Sequence, residues 1–293
     1  MYDIEALYEA ATTEEAICLL QEHPEARIIA GGSDVLIKIR EGELAGCSLV
    51  SIQKLDELRG ISLDAKGTLR IGPLTSFSHI TRDPLIQARV PVLGEAVDLI
   101  GGPQLRNIAT IGGNVCNGVT SADSASTLVA FDAVMEYRGP RGIRTVPIQE
   151  HYVGAGKVSL GPAEILTAVL IPRESYENCY GHYIKYAMRS AMDIATLGCS
   201  VNVRLSPDKK TIERMRIAYG VAGPVPKRAP TAEAAAGGRP VSEETVTLAG
   251  KAALNDVNPR SSWRASRELR LQLVEELAKR ALREAVKRAG GSL

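Results

Sequence analysis

Aromatic residues are scarce in this sequence. One Trp, two Phe and nine Tyr make up 4% of 293 residues. A protein that grips single-stranded nucleic acid by stacking bases needs more aromatic surface than that. An excess of one charge sign is also missing: 35 Lys and Arg stand against 34 Asp and Glu, a formal net charge of +1. Polyanion binding draws on a basic excess, so nucleic acid is not an expected partner. No apolar run approaches the roughly 18 residues that a membrane-spanning helix requires, so no membrane partner is expected. The opening MYDIEALYEA is acidic and has neither a basic n-region nor an apolar h-region, so no signal peptide is expected. The five cysteines (Cys18, Cys47, Cys116, Cys179 and Cys199) are odd in number and widely spaced, with no CxxC pair. They predict reduced thiols in a cytoplasmic protein, with no disulfide framework and no zinc or iron–sulfur site.

Familiar chemical motifs are absent as well. There is no G-x-G-x-x-G for a Rossmann nucleotide site and no G-x-S-x-G nucleophile elbow. The segment Gly154-Ala-Gly-Lys157 resembles a phosphate loop, but position 151 is His where the motif needs Gly. The four histidines, His23, His79, His151 and His182, have no ligand spacing and are expected to be packing or surface residues. No catalytic side chain and no metal ligand is expected in this chain.

What is present suits a folded protein of two domains: 45% of residues are hydrophobic and 24% charged. The first half alternates short strands and helices. Thr12 to Glu15 forms a T-x-x-E capping box before a helix that buries Ile17 and Leu20. Leu93, Ala96, Val97 and Ile100 mark an amphipathic helix ended by Gly101-Gly102-Pro103. Val134–Tyr137 and Ile143–Val146 suggest a hairpin, and Ile165–Ile171 a buried strand. In the second half, Met215, Ile217, Tyr219 and Val221 alternate, which predicts a sheet with one covered face. Ser242 is placed to cap a helix over residues 243–254. A long helix is expected from about Ser262 to Ala289, inside a segment carrying nine Lys and Arg against four Glu from Arg260 onward. Residues 1–176 and 177–293 are the expected domains.

Two glycine-rich segments carry the chemistry. Ile28-Ile29-Ala30-Gly31-Gly32-Ser33-Asp34-Val35 reads as a strand, a double glycine and a helix start. Such a turn lets main-chain N–H groups approach an anion. One Gly-Gly pair alone reads first as an ordinary tight turn. Thr110-Ile111-Gly112-Gly113-Asn114, with Gly118 and Asp123 beyond it, reads as a second polar loop set between apolar stretches. A buried polar loop has to satisfy its backbone or bind something that does. Lys185, in the apolar setting Tyr183-Ile-Lys-Tyr186, needs an anion or a route to water.

The segments A-G-G-S-D-V-L (30–36), T-I-G-G-N (110–114) and S-A-D-S (121–124), with K-Y-A-M-R-S-A-M-D-I-A (185–195) and P-R-S-S-W-R-A-S-R-E-L-R (259–270), resemble the FAD-binding medium subunits of the molybdenum hydroxylases, xanthine dehydrogenases above all. The resemblance runs along essentially the whole chain. It implies an α+β fold: a two-subdomain FAD-binding unit of the PCMH type, shared with vanillyl-alcohol oxidase, followed by a C-terminal antiparallel sheet-plus-helix domain. It implies noncovalent FAD laid between the subdomains. Residues 28–35 would hold the diphosphate, and 110–114 would wrap it from the other side. Asp123 would bind the cofactor, Leu166 would pack near its rings, and Lys185, Asp193 and Ile194 would border the flavin. Ile100 stands where animal xanthine oxidoreductases have Phe. Gly154–Leu160 resembles a G-P-G-K-T-x-L segment, with Ala155 and Val158 departing from it.

The function so implied is electron transfer. Electrons from 2Fe–2S clusters in a small subunit, fed by a large molybdopterin subunit, would pass through FAD to NAD. The assembly would be a cytoplasmic dimer of heterotrimers acting in purine metabolism. A medium subunit of a carbon monoxide, aldehyde or nicotinate hydroxylase, and a self-contained FAD oxidase, are the alternatives.

Overall fold

The structure is a computed structural model and describes residues 2–293. Its first core forms on a three-stranded parallel sheet. Strands β1 (Ile4–Glu9), β2 (Arg27–Ile29) and β3 (Cys47–Ser51) lie in the order β1-β3-β2. Parallel strands cannot be joined by tight hairpins, and helices Thr13–Glu22 and Val35–Arg40 make the crossovers. The first helix starts where T-x-x-E predicts. Thr12 Oγ1 accepts from Glu15 N at 3.1 Å, while Glu15 Oε2 accepts from Ala11 N at 2.8 Å. Ala16, Ile17 and Leu20 on its inner face share a core with Val50 and Ile52.

A second core surrounds a five-stranded antiparallel sheet. Its strands are β4 (Ile61–Leu63), β5 (Leu69–Ile71), β6 (Val134–Gly139) and β7 (Gly142–Pro147). Strands β8 (Tyr152–Gly154) and β9 (Lys157–Val158) pair separately, and β10 (Ile165–Ile171) returns to the centre, giving β4-β5-β10-β6-β7. The central place of β10 explains its continuous apolar run, since both of its faces are covered. Short helices fill the stretch between β5 and β6. One of them, Pro91–Asp98, buries Leu93, Ala96 and Val97 as expected but stops before Ile100. Pro103 then opens a new helix, Pro103–Ile108, so Ile100 lies in the connection between the two.

The third core is C-terminal. Strands β11 (Tyr180–Tyr186), β12 (Leu197–Leu205), β13 (Thr211–Gly220) and β14 (Lys227–Arg228) follow one another across an antiparallel sheet, and β15 (Arg239–Pro240) pairs with β13. Helices Glu243–Ala252 and Arg267–Arg288 bury Val246, Val274, Leu277 and Ala281 with Val201, Met215, Ile217 and Tyr219. Ser242 caps the first of these helices through Thr245 N at 3.2 Å. The second begins at Arg267 rather than near Ser262, because Ser266 caps it and residues 262–265 close a separate turn.

The alternation in β13 predicted one covered face, but the sheet is covered on both. Helix Asp123–Ala130, from the first half of the chain, is buried along its whole length. Its small side chains (Ser124, Ala125, Ser126) let the sheet approach closely, and Asn202 Nδ2 donates to Ala130 O at 3.2 Å. Tyr183 of β11 and Ala218 of β13 belong to the second core, so the two halves share apolar packing. No helix among the described residues is long and apolar enough to cross a membrane.

His151 is fully buried in this arrangement. Its Nε2 donates to Val115 O at 3.1 Å, so Nδ1 accepts from the Tyr137 hydroxyl. Burial pushes its pKa below the ordinary value, opposed by the Val115 bond. An unfolded chain would take up a proton at His151 near pH 6.5, while the folded chain resists it. Stability is therefore present above about pH 6.5 and falls as pH drops toward the depressed folded value. His151→Gln should lose about 1–3 kcal/mol at pH 7.5 and show a flatter decline between pH 7.5 and 5.5. Urea titrations at both pH values check this, and parallel pH profiles for the two proteins would contradict it.

Candidate cofactor-binding site

The first two cores face each other across a cleft of about 940 Å³. Small-molecule sites run from about 300 to 1,000 Å³. One wall is the turn after β2. The strand ends at Ile29, Gly31 and Gly32 follow, and Val35 opens the next helix. A Cβ on Gly31 would sit 2.0 Å from Ile108 O, so this glycine lets the two subdomains touch. Gly32 has φ +73°, a conformation that side chains disfavour. The N–H groups of Gly32, Ser33 and Asp34 have no acceptor among the described residues. Three successive main-chain donors left open at a cleft suit an anionic ligand.

The facing wall was expected to be a loop. It is the start of a helix, Ile111–Cys116, because Thr110 caps it by accepting from Gly113 N at 3.1 Å. Its amides are already engaged: Ile111 N donates to Thr75 O, Gly112 N to Pro73 O and Asn114 N to Thr110 O. This wall therefore offers shape in place of main-chain donors. A Cβ on Gly112 would lie 2.5 Å from Pro73 Cβ, whereas one on Gly113 would meet only Thr110 Oγ1 at 3.1 Å. Gly113 is exposed and leaves the cleft floor open.

The third wall is Gly156 and Leu160 to Leu166. Glu164 is clamped there by Arg144 at 2.8 and 2.6 Å and by Gly161 N at 2.6 Å. The Arg144 hydrogen bonds hold its carboxyl below the usual range against the opposing effect of burial. Its charge is thereby kept and neutralised. Ile28, Leu74, Phe77, Ile100, Leu105 and Leu166 give the cleft its apolar surface. Lys38 Nζ donates to Asn117 Oδ1 at 2.9 Å and ties the first wall to the second.

Behind the cleft lies a buried ion pair. Asp123 Oδ2 accepts from Lys185 Nζ at 2.9 Å, and the two side chains are 6% and 8% exposed. The Tyr183 hydroxyl donates to Asp123 Oδ1 at 2.5 Å. Burial raises the Asp123 carboxyl above its ordinary pKa, and Lys185 and Tyr183 oppose that rise. Lys185 Nζ also donates to Leu99 O at 2.9 Å, beside Ile100 of the cleft. Ser124 Oγ donates to Asn114 Oδ1 at 2.6 Å, which fixes the carboxamide of the second wall. Lys185 and Asp193 line a second cavity of about 320 Å³ with Leu99 and the loop 186–192.

The residues expected at the site thus fall into groups. Ile28, Ala30 to Val35, Ile100, Thr110, Gly112 to Asn114 and Leu166 line the cleft. Ile29 and Ile111 sit behind its walls. Lys185 lines the second cavity and Asp123 is its buried partner, and neither lines the cleft. Asp193 organises its own loop, accepting from Arg189 N at 3.0 Å and Ile194 N at 2.8 Å. Ile194 is exposed and lines neither cavity. Tyr183 and Glu164 escaped the sequence reading. Tyr183 shares a strand face with Lys185, two residues on, and that alternation was available as a signal. Glu164 had none, since its partner Arg144 lies 20 residues away.

Open donors at one wall, open space above Gly113 and an apolar third side fit a dinucleotide that carries a diphosphate and a ring system. Comparison with known proteins agrees. The family described as the FAD binding domain in molybdopterin dehydrogenase matches residues 2–174, and the CO dehydrogenase flavoprotein C-terminal domain matches residues 182–285. The chain is 45% identical to the xanthine dehydrogenase FAD-binding subunit of Escherichia coli O157:H7 over 293 residues, all of both chains. It is 31% identical to the nicotinate dehydrogenase FAD-subunit of Eubacterium barkeri, covering 84% of this chain and 83% of that one. Among solved structures, carbon monoxide dehydrogenase from Hydrogenophaga pseudoflava, in a form lacking the Mo-pyranopterin moiety of its cofactor, matches with a TM-score of 0.93. That match is at 30% identity and covers 98% of this chain and 99% of the other.

The glycines separate packing from ligand contact. Gly113→Val should leave the melting temperature within a few degrees and weaken FAD binding at least tenfold. Gly112→Val should unfold the segment, because Pro73 blocks the new side chain. Circular dichroism melts with flavin titration check both, and undiminished FAD affinity in folded Gly113→Val would contradict the contact.

Proposed function

Because this chain belongs to the FAD-binding medium subunits of the molybdenum hydroxylases, we propose that it is the electron-relay component of a xanthine dehydrogenase-like enzyme. The observation that carries this reading is the row of open amides at Gly32, Ser33 and Asp34, facing a cleft shared by two subdomains. FAD held in this cleft would supply electron exchange between 2Fe–2S clusters and NAD. The clusters belong to a small partner subunit and the molybdopterin to a large one, which is where a purine would be hydroxylated. A cytoplasmic dimer of heterotrimers is the proposed assembly.

The chain's own work is positioning. The Gly32–Asp34 amides hold the diphosphate, with the turn fixed by Gly31 packing on Ile108. Gly113 keeps the opposite wall from intruding. Ile100 and Leu166 exclude water from the rings. Asp123 and Lys185 set a fixed dipole beside the redox centre, and Tyr183 keeps the carboxylate oriented. The smaller cavity beside Lys185, whose Leu99 adjoins Ile100 of the cleft, would give a nicotinamide its approach.

Lys185→Met tests the electrostatic part. Removing one partner of a buried pair costs about 3–5 kcal/mol, so the variant should melt earlier. In the flavin-loaded protein its midpoint potential should fall, because a cation that favours the reduced, more negative state is gone. Asp123→Asn combined with Lys185→Met should recover part of the stability. Anaerobic reduction of the wild-type chain by NADH, followed at the flavin absorbance, tests the acceptor. A chain that takes up FAD but is not reduced by NADH would set NAD aside, and an unchanged potential in Lys185→Met would remove Lys185 from the redox site.

A further inference from the structure

Arg270 lies in the first turns of helix Arg267–Arg288, yet it is only 3% exposed. No carboxylate among the described residues pairs with it. Its Nε donates to Thr196 O at 3.2 Å, Nη1 to Arg260 O and Nη2 to Ser262 Oγ at 2.8 Å. A buried guanidinium with no counter-ion is costly, and a cation near a helix N-terminus opposes the helix dipole. Burial and the charges of Arg260 and Arg264 accordingly push its pKa below the ordinary value. What the arrangement secures is the base of a hairpin loop. Thr196 N donates to Tyr186 O at 2.7 Å, closing residues 187–195 between β11 and β12. Inside that loop, Asp193 holds Arg189 N and Ile194 N, and Arg189 Nη2 donates to Met192 O at 2.7 Å. The loop is therefore tied together internally, and its attachment to the body is the point where Arg270 acts. Residues 186–193 form most of the lining of the cavity beside Lys185.

We propose that Arg270 is a positioning residue whose planar fork fixes the 187–195 loop, and with it the width of the cavity beside Lys185. The structural half of this proposal stands on the hydrogen bonds alone. The functional half rests on the reading that a nicotinamide reaches the flavin through that cavity. Methionine at position 270 keeps the buried bulk but leaves the Thr196 and Arg260 carbonyls without their donor. Lysine keeps the charge but cannot reach three acceptors at once.

The test uses the full-length chain loaded with FAD, as wild type, Arg270→Met and Arg270→Lys. Hydrogen exchange of amides 187–196 is read first, and it does not depend on the flavin reading. Both variants should exchange at least tenfold faster there, with β12 and β13 unchanged. Steady-state reduction of ferricyanide by NADH is read second, at equal FAD content. KM for NADH should rise several-fold while kcat changes less than twofold. Unchanged loop exchange in a folded variant overturns the proposal. So does acceleration spread evenly over the C-terminal sheet, which would make Arg270 a general stabiliser. Faster loop exchange with unaltered KM keeps the latch and refutes its role in access. Absence of any NADH reaction in the wild type counts against the nicotinamide reading instead. Should Arg270→Met fail to fold, Ser262→Ala removes one acceptor of the same fork and is expected to give a smaller change of the same sign.

Discussion

The architecture depends on one buried ion pair. Asp123 begins a helix of the first half of the chain, and Lys185 sits on the first strand of the C-terminal sheet. Joined at 2.9 Å and screened from water, they bind the two halves at the level of the cleft. Such a pair is weak evidence for stability, since desolvation can outweigh attraction. Its worth lies in where it holds things. Lys185 also takes the Leu99 carbonyl, which fixes the connection carrying Ile100, and the neighbouring Ser124 fixes Asn114. One electrostatic contact thus orders the connection carrying Ile100 and the rim of a second cavity. The helix behind it can be covered on both sides because its residues are small, so the C-terminal sheet closes over it.

The cleft divides its labour between its walls. The turn at Gly32–Asp34 contributes open main-chain donors, and the helix at Ile111–Cys116 contributes space. Both contain Gly-Gly, but the pairs work differently. Gly31 and Gly112 are glycines because another segment's backbone or a proline presses on them. Gly32 is one because of its backbone conformation, and Gly113 is one because the cleft is open above it. The third wall, clamped by Arg144 on Glu164, adds apolar cover without adding free charge. A redox cofactor placed here would meet fixed dipoles and hydrocarbon, which is the way a protein tunes chemistry that belongs to the cofactor.

Much of this was legible in the sequence, and the parts that were not share a cause. The capping box at Thr12, the hairpin at Val134–Pro147, the buried strand β10 and the Ser242 cap are local signals, and each appears where the pattern puts it. The turn after β2 was readable for the same reason. The helix at Ile111 was hidden because two glycines and an asparagine speak for a loop, while the Thr110 cap and bonds to Pro73 and Thr75 override them. Coverage of β13 on both faces was hidden because its second cover comes from residues some 90 positions earlier, a tertiary fact that period-two alternation does not carry. In the sequence Arg270 is one of nine Lys and Arg from Arg260 onward, and only its burial among carbonyls distinguishes it. The full-length resemblance in ordered motifs carried the cofactor and the family, which spacing alone left open.

The most direct measurement is uptake of FAD by the purified, flavin-free chain, with hydrogen exchange read before and after. One equivalent of FAD should bind and be released intact by acid. Slowed exchange should centre on the amides of Gly32, Ser33 and Asp34, which have no acceptor among the described residues. A chain that stays colourless, or one that binds flavin with protection elsewhere and none at this turn, would contradict a cofactor held across the two subdomains.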